Sequence, residues 1–216
     1  MKPKNKEPIN LKVPFYKQHY DFTCGPASLM MAIKYFDNNL NLGKDLEIDI
    51  WREGNLVEVY GTSRYGLAYS AAIRGLNARV TSNTDEIDFV DRFIPPLKDL
   101  NMQVLKLHFN ERRHRCRKLG VNDRQLAITE NIIYDALLSG HIPLVVTNAL
   151  FCEKENLPHW VVITGIDNRF VYINNPLDTN SRKRKLALSA LQKVIGYVGE
   201  QSMVEVWKQN GVIESR

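Results

Sequence analysis

A cysteine at the start of a helix, a histidine at the start of a strand and side-chain amides near each are the groups that nucleophilic acyl transfer requires. In this chain of 216 residues, Cys24 stands where an irregular segment gives way to a helical pattern over 23–36. Pro26 falls in the first turn, and Ala27, Met30, Met31, Lys34 and Tyr35 follow at helical spacing. Backbone N–H groups and the positive end of the helix dipole stabilise a thiolate there, so the position is expected to lower the thiol pKa. Gln18, six residues upstream, can aim its NH2 at the same point as the Cys24 backbone N–H. Together they would form an oxyanion hole for a tetrahedral intermediate.

The base should come from the histidines His19, His108, His114, His141 and His159. Of these, His159 opens an apolar run, 159–165, that turns near Asp167 and returns through 169–176 as a second strand. A hairpin centred on Asp167 sets Asn175 opposite His159, where it can fix the imidazole tautomer and aim the other nitrogen at a thiolate. A slip of one residue would bring Asn174 there instead. Singly, each residue has an ordinary structural reading: a buried cysteine, a surface glutamine, a strand-end histidine, an asparagine turning before Pro176. Together they stand in the order and local context of one mechanism.

The segments Gln18-His19-Tyr20-Asp21-Phe22-Thr23-Cys24-Gly25-Pro26-Ala27-Ser28-Leu29, Pro158-His159-Trp160-Val161-Val162-Ile163-Thr164-Gly165 and Val171-Tyr172-Ile173-Asn174-Asn175-Pro176 resemble the C39-like cysteine peptidases. These belong to the papain-like superfamily and include a stand-alone bacterial branch. Similarity to that branch also takes in 46–53 and 65–75, and covers about residues 13–176. The resemblance implies Cys24 as nucleophile, His159 as general base and acid, Gln18 as oxyanion donor and Asn175 as the group that orients the histidine. The family pattern usually has aspartate before the proline; asparagine can still orient imidazole but gives a resting ion pair less electrostatic support. No Walker loop or membrane span accompanies these segments, so the resemblance does not imply leader-peptide export.

The elements that would carry these residues are helices over 45–53, 65–76 and 129–139, the last capped by Thr129. Strands are expected over 78–81, 102–108, 142–147, 159–165, 170–173, 195–198 and 203–207, with a short extended segment at 13–16. The stretch 85–100 is ambiguous, because Pro95-Pro96 ends any helix there. Helices dominate early and strands late, which predicts α+β. With the resemblance, this becomes a papain-like cysteine peptidase fold: a single domain over 1–216, with a helical lobe about 13–140 followed by an antiparallel β-sheet lobe about 141–208.

The composition, 44% apolar and 25% charged, suits a globular domain and excludes a disordered chain. No run approaches the roughly 18 apolar residues of a membrane span, and the lysine-rich start has neither a signal-peptide nor an anchor pattern. The expected setting is cytoplasmic. Three cysteines, Cys24, Cys116 and Cys152, lack metal-site spacing and form no disulfide framework. Arginines around Cys116 are expected to lower its pKa, and Cys152 is expected in a loop near His159. The net charge of +5 gathers in Arg112, Arg113, His114, Arg115, Arg117, Lys118 and in Arg182, Lys183, Arg184, Lys185. Neither cluster carries a nucleic-acid signature; each reads as a solvated loop or strand edge, or as a guide for an acidic ligand. The expected partner is a peptide or protein substrate, acidic ones included, with no nucleic acid, membrane, metal or organic cofactor. Two alternatives remain at this level: an acyl transferase using the same acyl-enzyme, and a catalytically silent peptide-binding domain.

Overall fold

The computed structural model describes residues 6–56, 60–87, 99–149, 156–181 and 183–208, except the side chains of 99 and 100. In chain order the elements are β1 Ile9–Asn10, α1 Cys24–Phe36, α2 Lys44–Gly54, α3 Arg64–Ala72, β2 Asn77–Ser82, α4 Asp99–Lys118, β3 Asn122–Gln125 and α5 Glu130–Leu138. Then come β4 Ile142–Asn148, β5 Pro158–Ile166, β6 Phe170–Asn174, β7 Arg184–Ala187, the short helix α6 Leu191–Val194 and β8 Ser202–Trp207. The fold is α+β. One sheet runs β3-β2-β8-β4-β5-β6-β7, with β1 paired to β5. Its pairs are antiparallel except β2 with β3.

Both faces of this sheet are covered, which explains why its central strands read as nearly unbroken apolar runs. Leu144, Trp160, Val162 and Val204 pack toward α1 and its Leu29, Met30 and Met31. Their neighbours Val145, Val161, Ile163 and Met203 point the other way, against Ile133 and Leu137 of α5. The period-two alternation of a strand thus divides the core in two. Helix α1 is buried from Gly25 to Ile33, because it runs between β5 and the helices α2 and α3. That central position sets its first residue, Cys24, against β5.

Two expectations need correction. Residues 102–108 are helical, within α4, not a strand: Leu105, Phe109 and Cys116 are buried at helical spacing while Leu107 faces water. The segment 195–198 forms only isolated bridges, Thr147 with Ile195 and Tyr197 with Glu200, because Gly196, Val198 and Gly199 take positive φ and break the extended path. The segment expected to be extended at 13–16 joins no strand, and pairing begins just before it, at β1. The sheet also draws β2 and β3 from the helix-rich part of the chain. Much of 85–100 lies outside the described residues.

Candidate active site

Helix α1 begins at Cys24, and its opening turn is pinned to β5 at the residue after the histidine. Ser28 Oγ donates to the Trp160 carbonyl at 3.2 Å, and the Trp160 indole N–H reaches the Thr62 carbonyl at 3.0 Å. The fit is close. A Cβ on Gly25 would lie 3.0 Å from Thr62 Cβ and 3.2 Å from Trp160 Cδ1. The sulfur of Cys24 therefore sits beside the backbone of β5. The N–H groups of Trp160 and Gly25, and its own, pull the thiol pKa down, but desolvation is larger and the net direction is up. The lowered pKa expected at a helix start is overturned by burial.

His159 is only 4% exposed. Its Nε2 donates to Asn175 Oδ1 at 2.7 Å. The direction of that bond follows from the next link. Asn175 Nδ2 donates to Asp178 Oδ1 at 3.0 Å, so the amide oxygen must face the ring and accept from it. Leu177 N–H adds a second donor to that oxygen at 3.1 Å. Nδ1 of His159 is left with its lone pair, as an acceptor. Burial lowers the ring pKa to about 4 against the opposing pull of Asn175 and Asp178, so the imidazole is neutral at pH 7.

The hairpin reaches this geometry by a different register from the expected one. Asp167 N–H bonds the Phe170 carbonyl, which makes Asn168-Arg169 the turn, and the ladder shifts between Ile163 and Gly165. Val162 then faces Asn174 and Ile163 faces Ile173. On that register Asn175 lies opposite Val161, and His159 is its diagonal neighbour on the same face, within side-chain reach. Asn174 instead turns inward, donating to the carbonyl of Val13 at 3.2 Å.

Gln18 is buried, and its backbone N–H donates to the Pro176 carbonyl at 2.9 Å. The segment before Cys24 is thereby tied to the residue after Asn175. Its side-chain Nε2 donates to the Tyr20 carbonyl at 2.8 Å, which uses one of its two hydrogens. All four residues singled out from the sequence thus lie where α1, the end of β5 and the 175–178 turn meet.

Two further residues of the site carried no signal beyond their place in a turn or a charge cluster. Asp178 closes the 175–178 turn, with its N–H on the Asn175 carbonyl. It also pairs with Arg184, whose Nε lies 2.8 Å from Asp178 Oδ1. The negative charge that the usual aspartate would bring is thus one link behind the asparagine. The Asn-Pro-x-Asp spacing was the available clue.

Beside Cys24 opens a cavity walled by Leu56, Thr62, Val146, Trp160 and Tyr197, with the Arg64–Glu200 ion pair, 2.6 Å, also in its lining. No described residue of the basic clusters lines it. Arg113 and Arg117 pair with Asp123, and Arg184 with Asp178. Cys116 is buried, its S–H donating to the Tyr65 carbonyl at 3.2 Å. Desolvation pushes its pKa up to about 12 despite Arg112, contrary to the lowering expected from its arginine neighbours. Cys152 and Arg182 lie outside the described residues.

The sequence matches the Peptidase_C39 like family over residues 13–196. No curated protein matches. Among solved structures, one similar to this chain is a candidate C39-like peptidase from Bacillus anthracis. It shares 16% identity at a TM-score of 0.52, covering 94% of this chain and 99% of that one. Another is a double-glycine-motif protease from an AMS/PCAT transporter, in complex with its leader peptide. It shares 15% identity at a TM-score of 0.47, covering 93% of this chain and 98% of that one.

Proposed function

The chain belongs to the Peptidase_C39 like family, and we propose that it is a cysteine peptidase that hydrolyses peptide amide bonds through a Cys24 thioacyl-enzyme. The observation that carries this reading is the directed bond from His159 Nε2 to Asn175 Oδ1, because it leaves His159 Nδ1 as a base next to the strand position whose N–H faces the Cys24 sulfur. A silent binding domain would have no need for that tautomer.

Thiol and imidazole are both neutral at rest, so proton transfer and attack go together. Cys24 Sγ bonds to the substrate carbonyl carbon as its proton passes to His159 Nδ1. The carbonyl oxygen becomes the oxyanion, held by the Cys24 N–H and by the second Nε2 hydrogen of Gln18. The imidazolium gives its proton to the leaving nitrogen and the C–N bond breaks. Water then attacks the thioester, delivering one proton to His159, and the C–S bond breaks to return the thiol and release the acid. Asn175, backed by Asp178, holds the ring throughout. The adjacent cavity seats an apolar side chain of the substrate, and the need for a reduced thiol suits a cytoplasmic setting.

The test is digestion of a mixed peptide library followed by mass spectrometry. Cleavage by the wild type should vanish in Cys24→Ala and His159→Ala and fall about 10²-fold or more in Asn175→Ala, which releases the ring. A folded wild-type protein that neither cleaves the library nor forms a thioester at Cys24 would end this reading.

A further inference from the structure

The segment that carries Gln18 toward Cys24 contains neither helix nor strand between 11 and 23, so a few side-chain bonds must fix its path. Four of them converge on one carboxylate. Glu47, on α2, is 0% exposed. Its Oε1 accepts from the His19 backbone N–H at 2.9 Å and from the Thr23 hydroxyl. Its Oε2 accepts from the Tyr16 hydroxyl at 2.9 Å and lies 3.0 Å from His19 Nδ1. Every one of these partners belongs to residues 16–23, the stretch that flanks Gln18 and ends at the nucleophile.

Resting on the peptidase reading above, we propose that Glu47 is the positioning residue of the oxyanion side of the site. A carboxylate removed from water is costly unless hydrogen bonds replace its hydration. Its energy therefore depends steeply on where those four donors sit, and the segment cannot relax without abandoning one of them. His19 and Thr23 bracket the stretch between Gln18 and Cys24, so the grip fixes the Gln18 amide relative to the Cys24 N–H. Tyr16 secures the segment upstream. Helix α2 also packs Trp51 against Phe22, ring centroids 5.0 Å apart, but Glu47 is the α2 side chain that hydrogen-bonds this stretch, and among the described residues it bonds neither the sulfur of Cys24 nor the imidazole of His159.

Positioning of the oxyanion donors predicts a split that a general loss of structure does not. Acylation of Cys24 by p-nitrophenyl acetate builds negative charge on a carbonyl oxygen and needs those donors. Alkylation by iodoacetamide displaces iodide at a saturated carbon and does not. Both rates are measured in a Cys152→Ser background against a Cys24→Ala control. Glu47→Gln keeps the shape but replaces two acceptor positions by an NH2. It is expected to slow acylation about tenfold or more, with alkylation within about threefold and the thermal midpoint little changed. Tyr16→Phe and His19→Gln each withdraw one donor and leave the carboxylate in place. Since His19 is 38% exposed at its side chain, its replacement serves even if Glu47→Gln does not fold. Both should show smaller losses with the same bias toward acylation. Equal rates in wild type and variants, or acylation and alkylation falling in proportion, would overturn the proposal. Failure of the wild type to be acylated at Cys24 would instead overturn the peptidase reading beneath it.

Discussion

At pH 7 burial holds His159 neutral, with a pKa of about 4, and holds the Cys24 thiol protonated. A neutral pair is active wherever the imidazole is unprotonated and the thiol has not ionised. The acid limb of kcat/KM should therefore centre near pH 4, with most of the neutral-pH activity kept at pH 5. An ordinary histidine would already be almost fully protonated there. A tenfold loss between pH 7 and 5.5 would contradict a neutral base. Stability carries the same signature. The folded pKa lies below the unfolded value, so between about 4 and 6.5 the unfolded chain binds the extra proton. The contribution is intact above 6.5 and is lost as pH falls toward 4. Its size is about 3 kcal/mol from the shift, and it should disappear from urea titrations of His159→Gln. Cys24, His159, Asn175 and Gln18 could be picked out in the sequence because their residue types are few and their contexts particular. Asp178 was legible only through the Asn-Pro-x-Asp spacing, and Glu47 not at all. A buried carboxylate is recognised by what surrounds it, and its donors are scattered among tyrosine, histidine and threonine side chains that have no fixed spacing from it.

At the scale of elements, local pattern located most helices and strands but not their pairing. The His159–Asn175 bond was anticipated from a hairpin centred on Asp167, yet the turn is Asn168-Arg169 and the ladder shifts between Ile163 and Gly165. The bond survives because diagonal neighbours share a face, which strand alternation guarantees for any register that moves by two. The misreading of 102–108 has a plainer cause. Seven residues of alternating character fit either period, and only the distant burial of Phe109 and Cys116 decides for the helix. The contact between α1 and β5 lies beyond sequence patterns altogether, and Gly25 is its most sensitive point. Alanine there would ordinarily stabilise a helix. Here its Cβ would press on Thr62, Trp160 and Leu67 at 3.0 to 3.3 Å, and the Thr62 atom is a β-carbon that cannot swing aside. Gly25→Ala should cost about 1 kcal/mol in thermal unfolding and slow both acylation and alkylation of Cys24. A gain in stability with unchanged rates would show that α1 can move away without disturbing the site.

Across the whole molecule, a sheet covered on both faces leaves one edge of the α1–β5 contact open, and the cavity beside Cys24 lies there. Leu56, Val146, Trp160 and Tyr197 give it apolar walls, while Arg64 and Glu200 neutralise each other at 2.6 Å. A charged side chain entering it would lose hydration against mostly apolar walls, where the buried atoms lacking a hydrogen-bond partner include the neutral Thr62 hydroxyl and the Nε of Arg64, whose charge Glu200 already offsets, whereas an apolar one gains by leaving water. No helix among the described residues is long and apolar enough to cross a membrane. Of the basic clusters, which first suggested acidic substrates, Arg113 and Arg117 pair with Asp123 and Arg184 with Asp178, and no described member lines this opening. Substrate choice should therefore follow apolar size. In a series of p-nitrophenyl esters from acetate to hexanoate, kcat/KM for acylation should rise by up to about fourfold per added methylene, the equivalent of about 0.8 kcal/mol each. The rise should level off once the cavity is filled, and a succinyl ester of similar length should fall below butyrate. Leu56→Phe takes up part of the space and should move the plateau to a shorter chain while leaving the acetate rate close to wild type. A flat series, or a preference for the succinyl ester, would mean that the substrate's side chain lies elsewhere on the cleft.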